Sequence, residues 1–191
     1  MLEGEVMNDN KIKKMRDFYQ KELDRSVDGM DYLYVGLSMI DNAKFDDKVW
    51  IQDVFLLSIE KIENSKDCTA ALDAITKRDC FDDKAWVRKL FKSAFKKLDT
   101  SYSLKNLADY IADDKYLGDT KWARDVYNLA YECSDDGLDM VMLAASVQKY
   151  LNDFIFSQEI LQKAHDFFDS EEDFNFIYEV YFDDDNEQSN H

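Results

Sequence analysis

The sequence predicts an all-α fold, an α-solenoid of about five helical hairpins and about ten helices, built on a repeat of about 36 residues. Three observations carry this. Trp50, Trp86 and Trp122 stand 36 residues apart, each preceded at three residues by an aspartate (Asp47, Asp83, Asp119) and followed at five by a large ring (Phe55, Phe91, Tyr127). Self-similarity at a fixed period of about 20–50 residues marks a repeat architecture. Proline is absent and glycine numbers only five, which suits helices joined by short polar turns better than a sheet-rich fold. Apolar residues also recur at helical spacing, with Trp50, Val54 and Leu57 beside Ile51, Phe55 and Ile59. A stripe that wide is expected where a helix packs on its own partner and on the next repeat.

The elements follow in order. An opening pair covers about 9–27 and 30–43. The repeated aspartate then starts the first helix of each later hairpin, at 47–63, 83–98, 119–133 and 153–168. Its partner follows a turn, at 66–77, 103–114, 138–149 and 171–182. Aspartate outnumbers glutamate 30 to 11, and aspartate is a poor interior residue but a good N-cap. Ser170 and Asp173 have the spacing of a capping box ahead of an apolar run. Gly29, Gly118 and Gly137 fall at expected turns, where positive φ costs glycine least. Tyr116–Asp119 returns as Tyr150–Asp153, 34 residues on, so two residues are lost there and Phe156 takes the tryptophan position. The reading is one helical-repeat domain over 1–182, with degenerate end repeats at about 9–43 and 153–182. The acidic tail 183–191 is expected to be disordered.

The segments Lys115–Tyr127 (KYLGDTKWARDVY) and Asp83–Phe91 (DKAWVRKLF) resemble bacterial short helical-hairpin repeats of the tetratricopeptide-like class, and the resemblance covers about 31–168. It implies an α-solenoid used for protein binding. It carries over no binding residue, and the closing proline of the tetratricopeptide pattern is missing.

Charge is the second strong signal. The chain carries a net −17, divided unequally: residues 1–100 sum to −2 and residues 101–191 to −15, with six Lys and Arg against 21 Asp and Glu. Such a balance disfavours direct binding of nucleic acid, whose phosphates it repels. A basic stripe (Lys84, Arg88, Lys92, Lys96) with Lys89 and Lys97 beside it reads as a solvated helix face. No stretch approaches the ~18 apolar residues of a membrane span, and Met1–Asn10 has no signal-peptide pattern. A cytoplasmic protein with no membrane partner is expected.

Catalytic signals are weak. The two histidines, His165 and His191, are too few for a zinc site, and His165 reads as a packed core or boundary residue. Cys68, Cys80 and Cys133 read as buried, reduced thiols. The chain has no phosphate-binding glycine loop and no nucleophile elbow. Paired acids such as Asp113–Asp114 and Asp135–Asp136 read as caps and solvated turns rather than acid–base pairs. No enzyme, no metal and no cofactor is expected.

The leading expectation is a non-enzymatic binding module or inhibitor whose acidic half docks a basic protein. A dense field of one sign speeds encounter with an oppositely charged partner. The candidate contact residues are Asp109, Asp113, Asp114, Asp125, Asp135, Asp136 and Asp139, with Tyr110, Tyr116, Tyr127, Tyr131, Tyr178 and Tyr181 as anchors where exposed. By analogy with small acidic proteins of bacteria and phages, the partner would be a toxin, a nuclease or another nucleic-acid-binding protein, blocked by a nucleic-acid mimic. The alternative is an adaptor that holds a peptide in a concave groove.

Overall fold

A computed structural model describes residues 9–42, 44–78 and 82–182. Those residues form ten α-helices and no strand: α1 (Asp9–Arg25), α2 (Gly29–Ile40), α3 (Lys48–Lys61), α4 (Ser65–Thr76), α5 (Lys84–Phe95), α6 (Ser101–Ala112), α7 (Thr120–Glu132), α8 (Gly137–Leu151), α9 (Phe154–His165) and α10 (Glu171–Phe182). No described helix is long and apolar enough to cross a membrane. Two compact units result, the first ending at Lys97 and the second beginning at Leu98. Helices α1–α5 belong to the first and α6–α10 to the second.

The repeated aspartate is an N-cap. Asp47, Asp83, Asp119 and Asp153 each accept a hydrogen bond from the backbone N–H three residues on, at Trp50 (3.2 Å), Trp86 (3.1 Å), Trp122 (3.0 Å) and Phe156 (3.0 Å). The Asp-to-Trp spacing is therefore the spacing of a cap to the N3 position, which satisfies one of the donors that a helix start leaves unpaired. Ser170 caps α10 in the same way, accepting from the Asp173 N–H at 3.1 Å.

The two-residue loss in the last repeat also has a local cause. Helix α6 ends at Ala112 and a turn leads to Gly118 at φ 65, whereas α8 runs on to Leu151 and stops at Asn152, at φ 53. Both left-handed residues immediately precede the capping aspartate. Glycine takes that conformation without a Cβ penalty, and asparagine is among the few other residues that tolerate it. Gly29 and Gly137 differ from the sequence reading, because each is the first residue of a helix and needs room rather than positive φ. A Cβ on Gly137 would lie 2.7 Å from the Phe168 ring.

The closest hairpins are one helix out of phase with those expected. The most extensive pairings within the units join α2 to α3, α6 to α7 and α8 to α9, so the tight hairpin ends on the aspartate-capped helix rather than starting with it. Small residues explain this. Gly36, Ala108 and Ala144 occupy the same repeat position on α2, α6 and α8, and all are buried. A Cβ on Gly36 would lie 2.7 Å from the Phe55 ring of α3. Close approach also lets side chains reach across to backbone. The Ser157 hydroxyl of α9 donates to the Ala144 carbonyl at 3.0 Å, and that of Ser58 on α3 donates to the Gly29 carbonyl at 2.8 Å. Further contacts join α3 to α5, and α8 to α6 and α10.

The tryptophans are not equivalent. Trp86 is buried in the first unit and its indole N–H donates to the Gln52 carbonyl at 3.1 Å, while Trp50 and Trp122 are half-buried. Cys68 is buried as expected, and burial pushes its thiol up to about 12. Cys133 is exposed instead, because it is the C-cap of α7 rather than an interior position. Cys80, His191 and the tail 183–191 lie outside the described residues.

Candidate functional site

The seven candidate aspartates all fall in the second unit, but they do different work. Asp109 is internal. Its carboxylate accepts from the Tyr127 hydroxyl of α7 at 2.6 Å, from the Lys105 ammonium of α6 at 2.7 Å and from the Ser146 hydroxyl of α8 at 3.3 Å. Lys105 reaches Ser146 as well, at 3.2 Å. Lys105 is only 8% exposed and Tyr127 is fully buried, so this is a buried polar network joining three helices. The hydroxyl that distinguishes Tyr127 from its repeat equivalents Phe55 and Phe91 is what the network uses. Burial, with the Asp109 carboxylate second, drives the Tyr127 phenol well above its usual range.

Two further aspartates are engaged by the backbone. Asp113 is the C-cap of α6 and its carboxylate accepts from the Lys115 N–H at 2.8 Å. Asp136 caps α8, accepting from the Asp139 N–H at 3.0 Å. Asp114, Asp125 and Asp135 are exposed. Among the candidates, then, Asp125 and Asp135 present charge outward, with Asp114 beside the Gly118 turn.

The start of α8 gathers like charge. Asp139 is pushed up, first by burial and then by Asp136 and Asp135, with Lys105 opposing. A carboxyl whose folded pKa is raised holds its proton longer than in the unfolded chain. Its contribution to stability is present below the unfolded value and lost as pH rises through the folded one. Asp139→Asn is therefore expected to raise the melting temperature near pH 7 and to leave it unchanged near pH 3, below the usual Asp value of about 3.9. Thermal melts at the two pH values check this.

Most cations of the second unit are already engaged. Arg124 pairs with the Asp153 cap and lies over the Phe156 ring at 4.0 Å. Lys163 sits over Tyr131 at 4.5 Å, Lys115 over Tyr116 at 5.2 Å and Lys149 over Tyr150 at 5.5 Å. With Lys105 held by Asp109, five of the six basic residues in 101–182 face a carboxylate or a ring, against 17 acids there.

The expected tyrosine anchors divide too. Tyr116 and Tyr127 are buried, so they offer nothing to a partner. Tyr110, Tyr131, Tyr178 and Tyr181 are half-buried. The outward apolar surface lies elsewhere, on α9 and α10. Ile155 is 85% and Phe176 66% exposed, with Phe154, Phe167 and Val180 also outward. A groove of about 930 Å³ runs between α9 and α10, floored by Ile155, Leu161, Phe174 and Tyr178. His165 lines it, exposed and edge-on to Phe174 at a centroid distance of 5.1 Å. It is exposed rather than the packed core or boundary residue expected from its repeat position.

Sequence reasoning overlooked this groove because it assigned aromatic positions to packing. One signal was legible. Seven of the twelve residues of α10 are apolar or aromatic and they run around the helix, more than one packed face uses. In comparisons with known protein families, with curated proteins and with solved structures, the chain matches none.

Proposed function

We propose that this chain is a non-enzymatic binding protein whose second unit docks a basic partner. The observation that supports it most is the engagement of five of that unit's six basic residues, by Asp109, Asp153 and the rings of Tyr116, Tyr131 and Tyr150. The net charge of −11 over 101–182 sets up a field of one sign, which draws in a cationic surface and raises its on-rate.

A catalytic reading of the same unit has one starting point, the Ser146–Lys105 pair. A Ser–Lys nucleophile needs a serine hydroxyl that a substrate can reach, beside an amine able to take its proton. Here Ser146 and Lys105 are both buried and the amine is held by Asp109 at 2.7 Å, which supports a structural role.

Poly-lysine titrated into the full chain tests the docking reading. Binding is expected to weaken steeply between about 50 and 200 mM salt, as screening shortens the reach of the field. Competition follows from the same idea: a nuclease or other basic nucleic-acid-binding protein held by this surface should be released by added DNA. Poly-lysine binding that ignores salt, or its absence at low salt, contradicts the proposal.

A further inference from the structure

We propose that the α9–α10 groove seats a basic amphipathic helix of a partner protein. This rests on the basic-partner reading above and gives that partner a shape. Ile155, Leu161, Phe174 and Tyr178 give the groove an apolar strip among polar side chains, and the lining follows helical spacing. Ile155, Gln158, Gln162 and His165 follow one another along α9 at spacings of three or four residues, and Phe174 and Tyr178 do the same on α10. That face extends over about three turns, or about 15 Å. A partner helix would present apolar side chains at i, i+3 or i+4, and i+7 to such a floor.

The rim selects the charge. Glu159 and Asp166 line the groove itself, and Glu171, Glu172, Asp173 and Glu179 line a separate, adjoining hollow on α10 that shares Asn175 with it. Over 154–182 there are seven acids and one lysine, and that lysine, Lys163, lies over Tyr131. Lysines or arginines flanking the apolar stripe of the incoming helix would meet this rim.

The same features disfavour the other occupants. The chain's own residues 183–191 (DDDNEQSNH) carry no apolar side chain to fill the floor and add negative charge. A second copy placed symmetrically would set one acidic rim against another, which like-charge repulsion opposes.

Fluorescence anisotropy on the full chain tests this with a labelled Leu/Lys amphipathic peptide of about 18 residues, its scramble of identical composition, and a Leu/Glu counterpart. The amphipathic Leu/Lys peptide is expected to bind about tenfold or more tightly than its scramble, and the Leu/Glu peptide not at all. Ile155→Asp should erase that advantage. The substitution lies at an exposed position in the first turn of α9, where an acidic residue favours the helix, so the fold is kept. Val49→Asp, an exposed apolar position of α3, should leave binding unchanged.

If scramble and amphipathic peptide bind equally and Ile155→Asp changes nothing, the groove is not the site, although the basic-partner reading survives. Failure of both Lys peptides to bind at low salt overturns both proposals. Self-association on concentration that Ile155→Asp abolishes assigns the groove to a second copy and overturns this one.

Discussion

Asp109→Ala is expected to destabilise the second unit by about 3–5 kcal/mol, as does removal of one partner from other buried ion pairs. The size follows from what the carboxylate holds. Its loss leaves the Lys105 ammonium buried with Ser146 as its remaining partner in the network, and leaves the Tyr127 hydroxyl unpaired in a fully buried site. Neither group can regain its water without opening the packing of α6 on α7 and α8. The quadruple variant Lys105→Met, Asp109→Leu, Tyr127→Phe, Ser146→Ala is expected to recover most of the loss, to within about 1–2 kcal/mol, because it removes every polar group of the network, the Ser146 hydroxyl included, while nearly keeping volume. The repeat itself supports the change at Tyr127, since Phe55 and Phe91 hold that position without a hydroxyl. Urea denaturation followed by far-UV circular dichroism measures both.

The same network predicts a loss of stability in alkali. The unfolded phenol ionises at about pH 10, whereas burial and the Asp109 carboxylate keep the folded Tyr127 protonated well above that. Its stabilisation is complete below the unfolded value and declines as pH rises beyond it. Tyr127→Phe should show a shallower fall above about pH 10 than the native chain.

Trp86→Ala is expected to cost the first unit about 3–5 kcal/mol, the range for removing a large buried aromatic side chain. Trp50→Ala and Trp122→Ala should cost distinctly less. The three tryptophans look interchangeable in the sequence, but only Trp86 is nearly closed from solvent and bonds its indole N–H to the Gln52 carbonyl. Trp86→Phe keeps most of the apolar burial and isolates the hydrogen bond and the lost ring area. Equal losses at all three tryptophans would contradict the unequal packing seen here.

Helix positions were legible because the signals that set them are local. A capping aspartate and its helix are three residues apart, and each aspartate at 47, 83, 119 and 153 opens a helix within one residue of the expected start. The hairpin phase was not legible, since it depends on which faces approach closely, and that turns on single small residues such as Gly36 and Ala144. The candidate site was read in part. Composition showed that the acids concentrate beyond residue 100, but composition cannot separate an aspartate that faces water from one that holds a buried lysine. Asp109 and Asp125 look alike in sequence. Only the fold brings Lys105, Tyr127 and Ser146 around the first.

The proposed role of the outward acids can be tested against net charge itself. Asp125→Lys, Glu132→Lys and Asp135→Lys together take the chain from −17 to −11. So do Asp53→Lys, Glu60→Lys and Glu63→Lys, all exposed in the first unit. Poly-lysine affinity of the two variants, at equal ionic strength and with unchanged helicity, is the decisive comparison. The account predicts a loss of about tenfold or more for the second-unit variant and less than about threefold for the first-unit one. Equal losses would show that overall charge, rather than a surface of the second unit, governs binding.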